Sequence, residues 1–152
     1  MSFGATRPGR FIPVRQLSIY AENKVGRLNE LIGILAANKI HILAVSSVDS
    51  TDSSIIRLIV DYVEQAIALL EENNFAYNEA EVIAAEITTE ASLKKVTCAL
   101  VEAEINIHYI YPFLMRPHGN SGLVLRLEDN ELAVDVLRQH QVNVLSHDDI
   151  AR

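Results

Sequence analysis

Cysteine, tryptophan and long apolar runs are scarce or missing in this chain of 152 residues. Cys98 is the one cysteine, and there is no tryptophan. A single cysteine excludes an intrachain disulfide and suits a reducing compartment. No stretch approaches the roughly 18 consecutive apolar residues of a membrane span, and residues 1–15 lack the apolar core of a secretory signal. We therefore expect a cytoplasmic protein with no membrane partner.

Positive charge is also in short supply. The chain has 13 Lys and Arg residues against 20 Asp and Glu residues, which gives a net charge of −7. The phosphate backbone of a nucleic acid is bound by clustered Lys and Arg, and the one basic cluster, Arg7, Arg10 and Arg15, lies in the N-terminal leader. We expect no nucleic-acid partner. Because 49% of the residues are hydrophobic and only 6% aromatic, a globular fold with an aliphatic core is predicted.

Recognisable catalytic and cofactor motifs are missing as well. The sequence has no nucleophile elbow, no glycine-rich dinucleotide loop and no phosphate loop. Its histidines show no helical i, i+4 pair, and none lies near a second cysteine, although zinc needs three or four nitrogen or sulfur ligands; they are His41, His108, His118, His140 and His147. We expect no metal, no cofactor and no enzymatic activity.

The sequence instead contains an internal repeat. Five apolar positions recur 65 residues later, with Leu28, Leu31, Leu35, Ile40 and Ile42 matching Leu93, Val96, Leu100, Ile105 and Ile107. Farther along the offset becomes 67, as for Leu58 and Leu125. A repeat of this length indicates two copies of one small module, with a two-residue insertion in the second. The predicted organisation is a leader at 1–15, a first module at 16–80 and a second module at 81–152.

Each copy predicts the same order of elements. In the first copy, alternating residues predict strands at 16–21, 41–48, 54–61 and 75–79, and helical spacing predicts helices at about 28–38 and 63–72. The order β-α-β-β-α-β is the ferredoxin-like split unit, an α+β fold with an antiparallel sheet and helices on one face. The second copy begins at Val82 with little or no linker, and its tail after Ser146 is expected to be frayed.

Several strands are apolar on both faces. Residues 55–60 are apolar at every position except Arg57, and Tyr109, Tyr111 and Phe113 share one strand face. A strand that is apolar on both sides is usually covered on both sides. We therefore expect the sheet faces opposite the helices to meet another module, within the chain or across a dimer.

The turn from Asn23 to Leu28 is the best candidate for a binding site. It closes a strand and opens a helix, where free backbone N–H groups and the positive helix end favour a carboxylate. Gly26 lets a ligand approach the backbone. Asn23 can accept and donate hydrogen bonds, which suits a free amino acid. A glycine before a helix also occurs as plain structural punctuation, and that reading stays open.

With this element order, the turn N-K-x-G-R-L at 23–28 and the motif N-I-H-Y at 106–109, the chain resembles tandem ACT domains. These are regulatory modules, and the first copy is also similar to the ACT domain of acetolactate synthase regulatory subunits. The resemblance implies two modules that pair side by side into an eight-stranded sheet. It also implies a small ligand, most often an amino acid, bound at the seam between them.

The resemblance also implies which residues form the two walls of that site. One wall is the first turn, with Asn23, Val25, Gly26, Arg27 and Leu28, and the other is the start of a second-copy strand, with Asn106, Ile107 and His108. The reverse pairing has Thr88, Ala91 and His41 at the matching positions and has lost the polar set. We therefore expect one competent site per pair of modules.

The expected function is amino-acid binding by a homodimeric regulatory protein. One alternative is a regulatory subunit of a biosynthetic enzyme such as acetolactate synthase. Another is a structural dimerisation module that binds no ligand. The sequence names neither the ligand nor the regulated partner.

Overall fold

Two βαββαβ units form a single antiparallel sheet. A computed structural model describes residues 11–22, 25–49, 53–115 and 120–151. The elements are β1 (Val14–Glu22), α1 (Val25–Ala37), β2 (Ile42–Asp49), β3 (Ser53–Val60), α2 (Val63–Glu72), β4 (Ala76–Ile87), α3 (Glu90–Glu102), β5 (Ile107–Pro112), β6 (Ser121–Leu127), α4 (Asn130–Gln139), β7 (Val144–Leu145) and α5 (His147–Ile150). The predicted α+β fold of two ferredoxin-like modules is confirmed.

Strand β4 belongs to both modules. The strand order is β2-β3-β1-β4-β6-β5, with β7 also paired to β4. The first half of β4 pairs with β1 up to Val82, and its second half pairs with β6 from Ile83 onward. The sequence predicts two separate strands here, but the segment contains no glycine or proline to break it. The sheet consequently has seven strands, because one strand serves two modules, and the predicted boundary at residues 80 and 81 falls inside it.

Each module has its own core on the helix side of the sheet. In the first module, α1 and α2 pack over residues such as Leu17, Ile19 and Leu58. In the second module, α3 and α4 pack over residues such as Ile83 and Leu125. None of the helices in the described ranges is long and apolar enough to cross a membrane.

A third apolar cluster fills the opposite sheet face, and we call it the inner core. It consists of Val14, Leu43, Ala44, Ile59, Val82, Ala84, Tyr111, Val124, Leu145 and Ile150. The sheet curls so that its two edge strands meet: Ala44 forms a bridge with Phe113, and the N–H of Leu114 donates to the carbonyl of Leu43 over 2.7 Å. The prediction that the second sheet faces meet another module is confirmed, and the meeting occurs within the chain.

The expectation of a frayed C-terminal tail is wrong. Residues His147–Ile150 form a single helical turn, opened by a capping box between Ser146 and Asp149. The side chain of Ile150 is 1% exposed and belongs to the inner core. The N–H of His147 donates to the carbonyl of Ile12 over 2.8 Å, and its Nε2 lies 2.9 Å from the carbonyl oxygen of Asp61. Ile150, through the inner core, and His147, through its hydrogen bonds, thus attach the C-terminal turn to the rest of the fold.

Candidate functional site

The first turn of α1 presents exposed backbone, and it contains four of the predicted site residues. Val25 is 87% exposed, and Gly26 is exposed beside it. A Cβ atom added at Gly26 would meet no heavy atom within 4 Å, so the space above this backbone is open to a ligand. Leu28 turns the other way and packs against the first module's core. Asn23, the remaining residue predicted for this wall, lies outside the described residues.

Arg27 is held against the protein surface. Its Nη1 donates to Glu30 Oε1 over 2.9 Å, one turn farther along the same helix. Its guanidinium carbon lies 3.7 Å from the centre of the Phe75 ring, a cation–π contact. These two contacts fix the guanidinium near the start of α1, so its positive charge adds to that of the helix end.

The second predicted wall is the start of β5, and it is exposed too. The N–H of Asn106 donates to Glu128 Oε1 over 3.3 Å, and its carbonyl accepts from the N–H of Glu128 over 3.1 Å. Ile107 pairs with Leu127, and the register then shifts before Tyr109. His108 lies at this irregularity with an exposed side chain. A β-bulge of this kind re-aims side chains and is common near binding sites.

Each predicted wall makes its contacts inside its own module. Within the described ranges, no hydrogen bond or ion pair joins residues 25–28 to residues 106–108. The bonds of Arg27 stay in the first module and those of Asn106 in the second. Both walls therefore keep unused surface for a ligand, and the joint site remains a prediction.

The corresponding turn in the second copy is closed by the protein's own side chains. Thr89 caps α3 in a capping box with Ser92, whose N–H donates to Thr89 Oγ1 over 3.4 Å. Ser92 Oγ accepts from the N–H of Thr88 over 3.1 Å and lies 2.8 Å from Thr88 Oγ1. The amides of Thr88, Thr89 and Ser92 thereby have acceptors within the protein.

His41, the first-copy counterpart of Asn106, is also occupied. Its N–H donates to Asp61 Oδ1 over 2.9 Å, and its ring Nδ1 lies 2.8 Å from Oδ2 of the same carboxylate. Asp61 is buried, so this pair stabilises the end of β3. In the reverse pairing of walls, the turn at Thr88 and the residue His41 therefore both use their polar groups in contacts within the protein.

A buried polar network on the inner sheet face was not predicted. Gln16 is 0% exposed, and its Nε2 donates to Tyr109 Oη over 2.7 Å and to Ser18 Oγ over 3.2 Å. The hydroxyl of Tyr111 donates to Gln16 Oε1 over 2.5 Å. The alternation of Tyr109 and Tyr111 was a signal for this face, but no pattern in the sequence singled out Gln16 as their partner.

Arg57 lies beside the same network. Its guanidinium carbon is 3.7 Å from the centre of the Tyr109 ring, and the rings of Tyr109 and Tyr111 are stacked with centroids 6.3 Å apart. Burial raises the pKa of Tyr111 well above its usual range, and Tyr109 adds to that rise, while the nearby charge of Arg57 opposes it. Tyr111 is therefore a neutral hydrogen-bond donor at physiological pH.

A cleft of about 340 Å³ opens on the outer side of the second module. It is lined by Phe11, Pro13, Glu81, Val82, Ile83, Asn130, Glu131, Val134, Asp135 and Arg138. Asn130 Nδ2 donates to the carbonyl of Glu81 over 3.1 Å, whereas its buried Oδ1 has no hydrogen-bond partner. This cleft was not predicted, because its lining comes from three segments that are separate in sequence.

The described part of the chain contains no cluster of side chains suited to binding a metal ion. No group of three or more His, Cys, Asp or Glu side chains there could hold a metal ion. Cys98 is a free, half-buried thiol on α3.

The fold defines a pair of ferredoxin-like modules that share one antiparallel sheet. The sequence matches the family described as an ACT domain pair over residues 12–152, and the chain belongs to that family. No curated protein matches the sequence.

Solved structures share the fold. Protein BT0572 from Bacteroides thetaiotaomicron is similar with a TM-score of 0.82 and 28% identity, over 93% of this chain and 98% of that one. The ligand-free regulatory subunit of aspartate kinase from Thermus thermophilus is similar with a TM-score of 0.60 and 15% identity, over 85% and 93% of the two chains. The likeness to the second protein concerns the fold alone.

Proposed function

We propose that this ACT domain pair is a cytoplasmic regulatory protein that binds a free amino acid, without catalysing a reaction. The ligand carboxylate lies against the first turn of α1, and the other wall is the start of β5. A helix start favours a negative group through its free amides and dipole, and the guanidinium of Arg27, which is paired with Glu30, lies nearby. Each chain provides one such site.

The observation that carries this proposal is the difference between two equivalent helix starts. At α3, the hydroxyl of Ser92 accepts from the amides of Thr88 and Thr89, and the hydroxyl of Thr89 accepts from the amide of Ser92. At α1, Gly26 leaves open space above the backbone. Two copies of one module that differ in this way are expected to differ in ligand binding.

The first experiment identifies the ligand and its stoichiometry. A thermal-shift screen of the twenty common amino acids, each in large excess, should give one or a few that raise the melting temperature. A ligand at 100 times its Kd adds about 2.7 kcal/mol to the free energy of unfolding. Isothermal titration of the best ligand should then give one site per chain. A stoichiometry of two would contradict the difference between the modules.

The second experiment places the site with matched variants. Gly26→Asp adds a carboxylate to the second residue of α1, and Ala91→Asp adds one to the second residue of α3. Both changes suit a helix start, so both variants should fold. Only Gly26→Asp should repel the ligand carboxylate, with at least about a tenfold loss of affinity. Equal affinities in the two variants would remove the α1 turn from the site. Asn23→Ala, measured in the same assay, tests the predicted site residue that lies outside the described ranges.

Homodimerisation and an enzyme partner extend the proposal. Exposed apolar side chains along β5 and just after it, namely Ile110, Leu114 and Met115, support an interface with a second copy. Light scattering of the purified protein should give twice the chain mass. A regulatory subunit of a biosynthetic enzyme such as acetolactate synthase would copurify with its catalytic subunit from cell extract; the Thermus protein is named as the regulatory subunit of aspartate kinase. A plain dimerisation module would show the dimer and no ligand response in the screen.

A further inference from the structure

Two arginines, Arg57 and Arg126, face the surface between the modules without an acidic partner. Both side chains are half-buried. In the described ranges neither forms an ion pair, whereas Arg15 and Arg27 do. The whole chain carries seven more acidic than basic residues, so two unpaired cations on one inner surface are not explained by composition.

Arg57 is placed on this surface by β3. Its neighbour two residues on, Ile59, belongs to the inner core, and alternate residues of a strand share a face. The guanidinium lies over the Tyr109 ring, with 3.7 Å between its central carbon and the ring centre. Within the described residues the Arg57 side chain forms no hydrogen bond, so its N–H groups can donate to a ligand.

Arg126 reaches the same surface from β6 in the second module. Val124, two residues earlier, belongs to the inner core. Arg126 is the cross-strand partner of Tyr109, and directly opposed side chains have Cβ atoms roughly 5 Å apart. Its Nη1 donates to the adjacent carbonyl of Leu127 over 3.3 Å. Tyr109 thus has one arginine on its ring and another beside it on the sheet.

The polar groups around the Tyr109 ring already bond to one another. The hydroxyls of Tyr109 and Tyr111 bond to Gln16, and Gln16 also donates to Ser18. This network fixes the ring on which Arg57 rests. An arginine fork held in one orientation suits planar, bidentate recognition of a carboxylate or a phosphate group.

We propose that Arg57 and Arg126 form an anion site between the two modules, separate from the α1 turn, for a small ligand with two negative charges. Two half-buried cations near one another repel, and a dianion relieves both the repulsion and the lost hydration. A dicarboxylate and a phosphate group share this chemistry. Because the arginines come from different modules, a bound dianion stabilises their closed arrangement.

The test uses succinate and inorganic phosphate as probes, at constant ionic strength, with neutral succinamide as the control compound. At least one of the two anions should raise the melting temperature of the wild-type protein, whereas succinamide should not. Response to succinate alone identifies a dicarboxylate site, and response to phosphate alone identifies a phosphate site. No response to either anion at tens of millimolar would overturn the proposal.

Matched variants then locate the binding. Arg57→Gln and Arg126→Gln should each lower the affinity for the active probe by at least about tenfold, as expected for charge-assisted hydrogen bonds. The control is Arg138→Gln, because the Arg138 guanidinium also lies over a ring, that of Phe11 at 5.3 Å, but on α4. If Arg57→Gln does not fold, Arg57→Lys keeps the charge on the ring and should still lose severalfold affinity. Unchanged affinity in the arginine variants, or an equal loss in Arg138→Gln, would place the anion elsewhere.

The two proposed sites can fail separately. Gly26→Asp should keep the full response to succinate or phosphate, because it leaves both arginines untouched. Loss of the dianion response in Gly26→Asp would show that the probe binds at the α1 turn and would overturn the second site.

Discussion

The side-chain amide of Gln16 donates a 2.7 Å hydrogen bond to the hydroxyl of Tyr109, a residue 93 positions later in the chain. Gln16 lies on β1 in the first module, and Tyr109 lies on β5 in the second. With the bond from Tyr111 to the same amide, this fully buried glutamine links the inner faces of the two modules. The link is polar, in a region otherwise packed with aliphatic side chains, and its loss should lower the free energy of unfolding.

Replacing Gln16 with leucine should destabilise the protein. The change leaves the buried hydroxyl of Tyr111 without its acceptor, which costs about 1–3 kcal/mol in the free energy of unfolding. Urea denaturation followed by circular dichroism measures this value. Gln65→Leu on the exposed face of α2 is the control and should change stability by less than about 0.5 kcal/mol. Equal effects of the two changes would show that the network contributes nothing to stability.

Two glycine-to-alanine changes should act in opposite directions. A Cβ at Gly122 would lie 2.8 Å from the Phe113 ring and 3.3 Å from the carbonyl oxygen of Ala85, so the Phe113 ring must shift. We expect a loss of about 1–3 kcal/mol. At Gly33, on α1, the added Cβ meets nothing within 4 Å, and higher helix propensity should add about 1 kcal/mol.

Urea denaturation of both glycine variants distinguishes these effects. If Gly122→Ala is as stable as the wild type, the Phe113 ring does not pack closely against residue 122 in solution.

The C-terminal turn should contribute to global stability through Ile150. Ile150→Ala removes a fully buried side chain from the inner core and should cost about 2–5 kcal/mol. The control, Ile32→Ala on α1, makes the same chemical change at a side chain that is 43% exposed and should cost much less. Thermal denaturation compares them. Similar melting temperatures would mean that the turn at 147–150 does not pack in solution as described.

His140 should titrate above the ordinary histidine pKa. Its ring Nδ1 lies 2.8 Å from the carbonyl oxygen of Val136, the larger cause of the raised pKa, and its Nε2 lies 3.2 Å from Glu102 Oε1. Both acceptors favour the protonated ring, so the folded state binds this proton more tightly than the unfolded state does. The resulting stabilisation is complete below pH of about 6.5 and is lost as the pH rises through the folded-state pKa.

NMR titration of the His140 ring protons measures that shift directly. Glu102→Gln should lower the midpoint, yet leave it above 6.5 because the Val136 carbonyl remains. A wild-type midpoint at or below the ordinary value would contradict the two hydrogen bonds.

The order of elements was predictable because it depends on local pattern. Leu28, Leu31 and Leu35 recur at helical spacing, and their repetition 65 residues later predicts the second module. The apolar alternation of Tyr109, Tyr111 and Phe113 likewise predicts a covered sheet face. The continuous strand β4 was not predicted, because the polar residues in its middle separate the two predicted strands until their pairing partners are known.

The candidate site was predictable only in part. The exposed turn at Gly26 and the exposed start of β5 lie where local sequence and resemblance place them. The roles of Gln16 and Arg126 were not visible, since each depends on a partner strand from another part of the chain. The cleft beside Asn130 on the second module likewise is lined by segments that are distant in sequence.

The sequence by itself determined the two βαββαβ modules, their aliphatic cores and the lack of a second cysteine, because periodicity and composition act over a few neighbouring residues. Only the tertiary structure decided that the sheet curls on itself, that Ile150 fills its inner core, and that Arg57 lies over the ring of Tyr109, the cross-strand partner of Arg126. Those arrangements depend on which faces and strands become neighbours after the chain has closed, and contacts between residues far apart in sequence leave no local pattern.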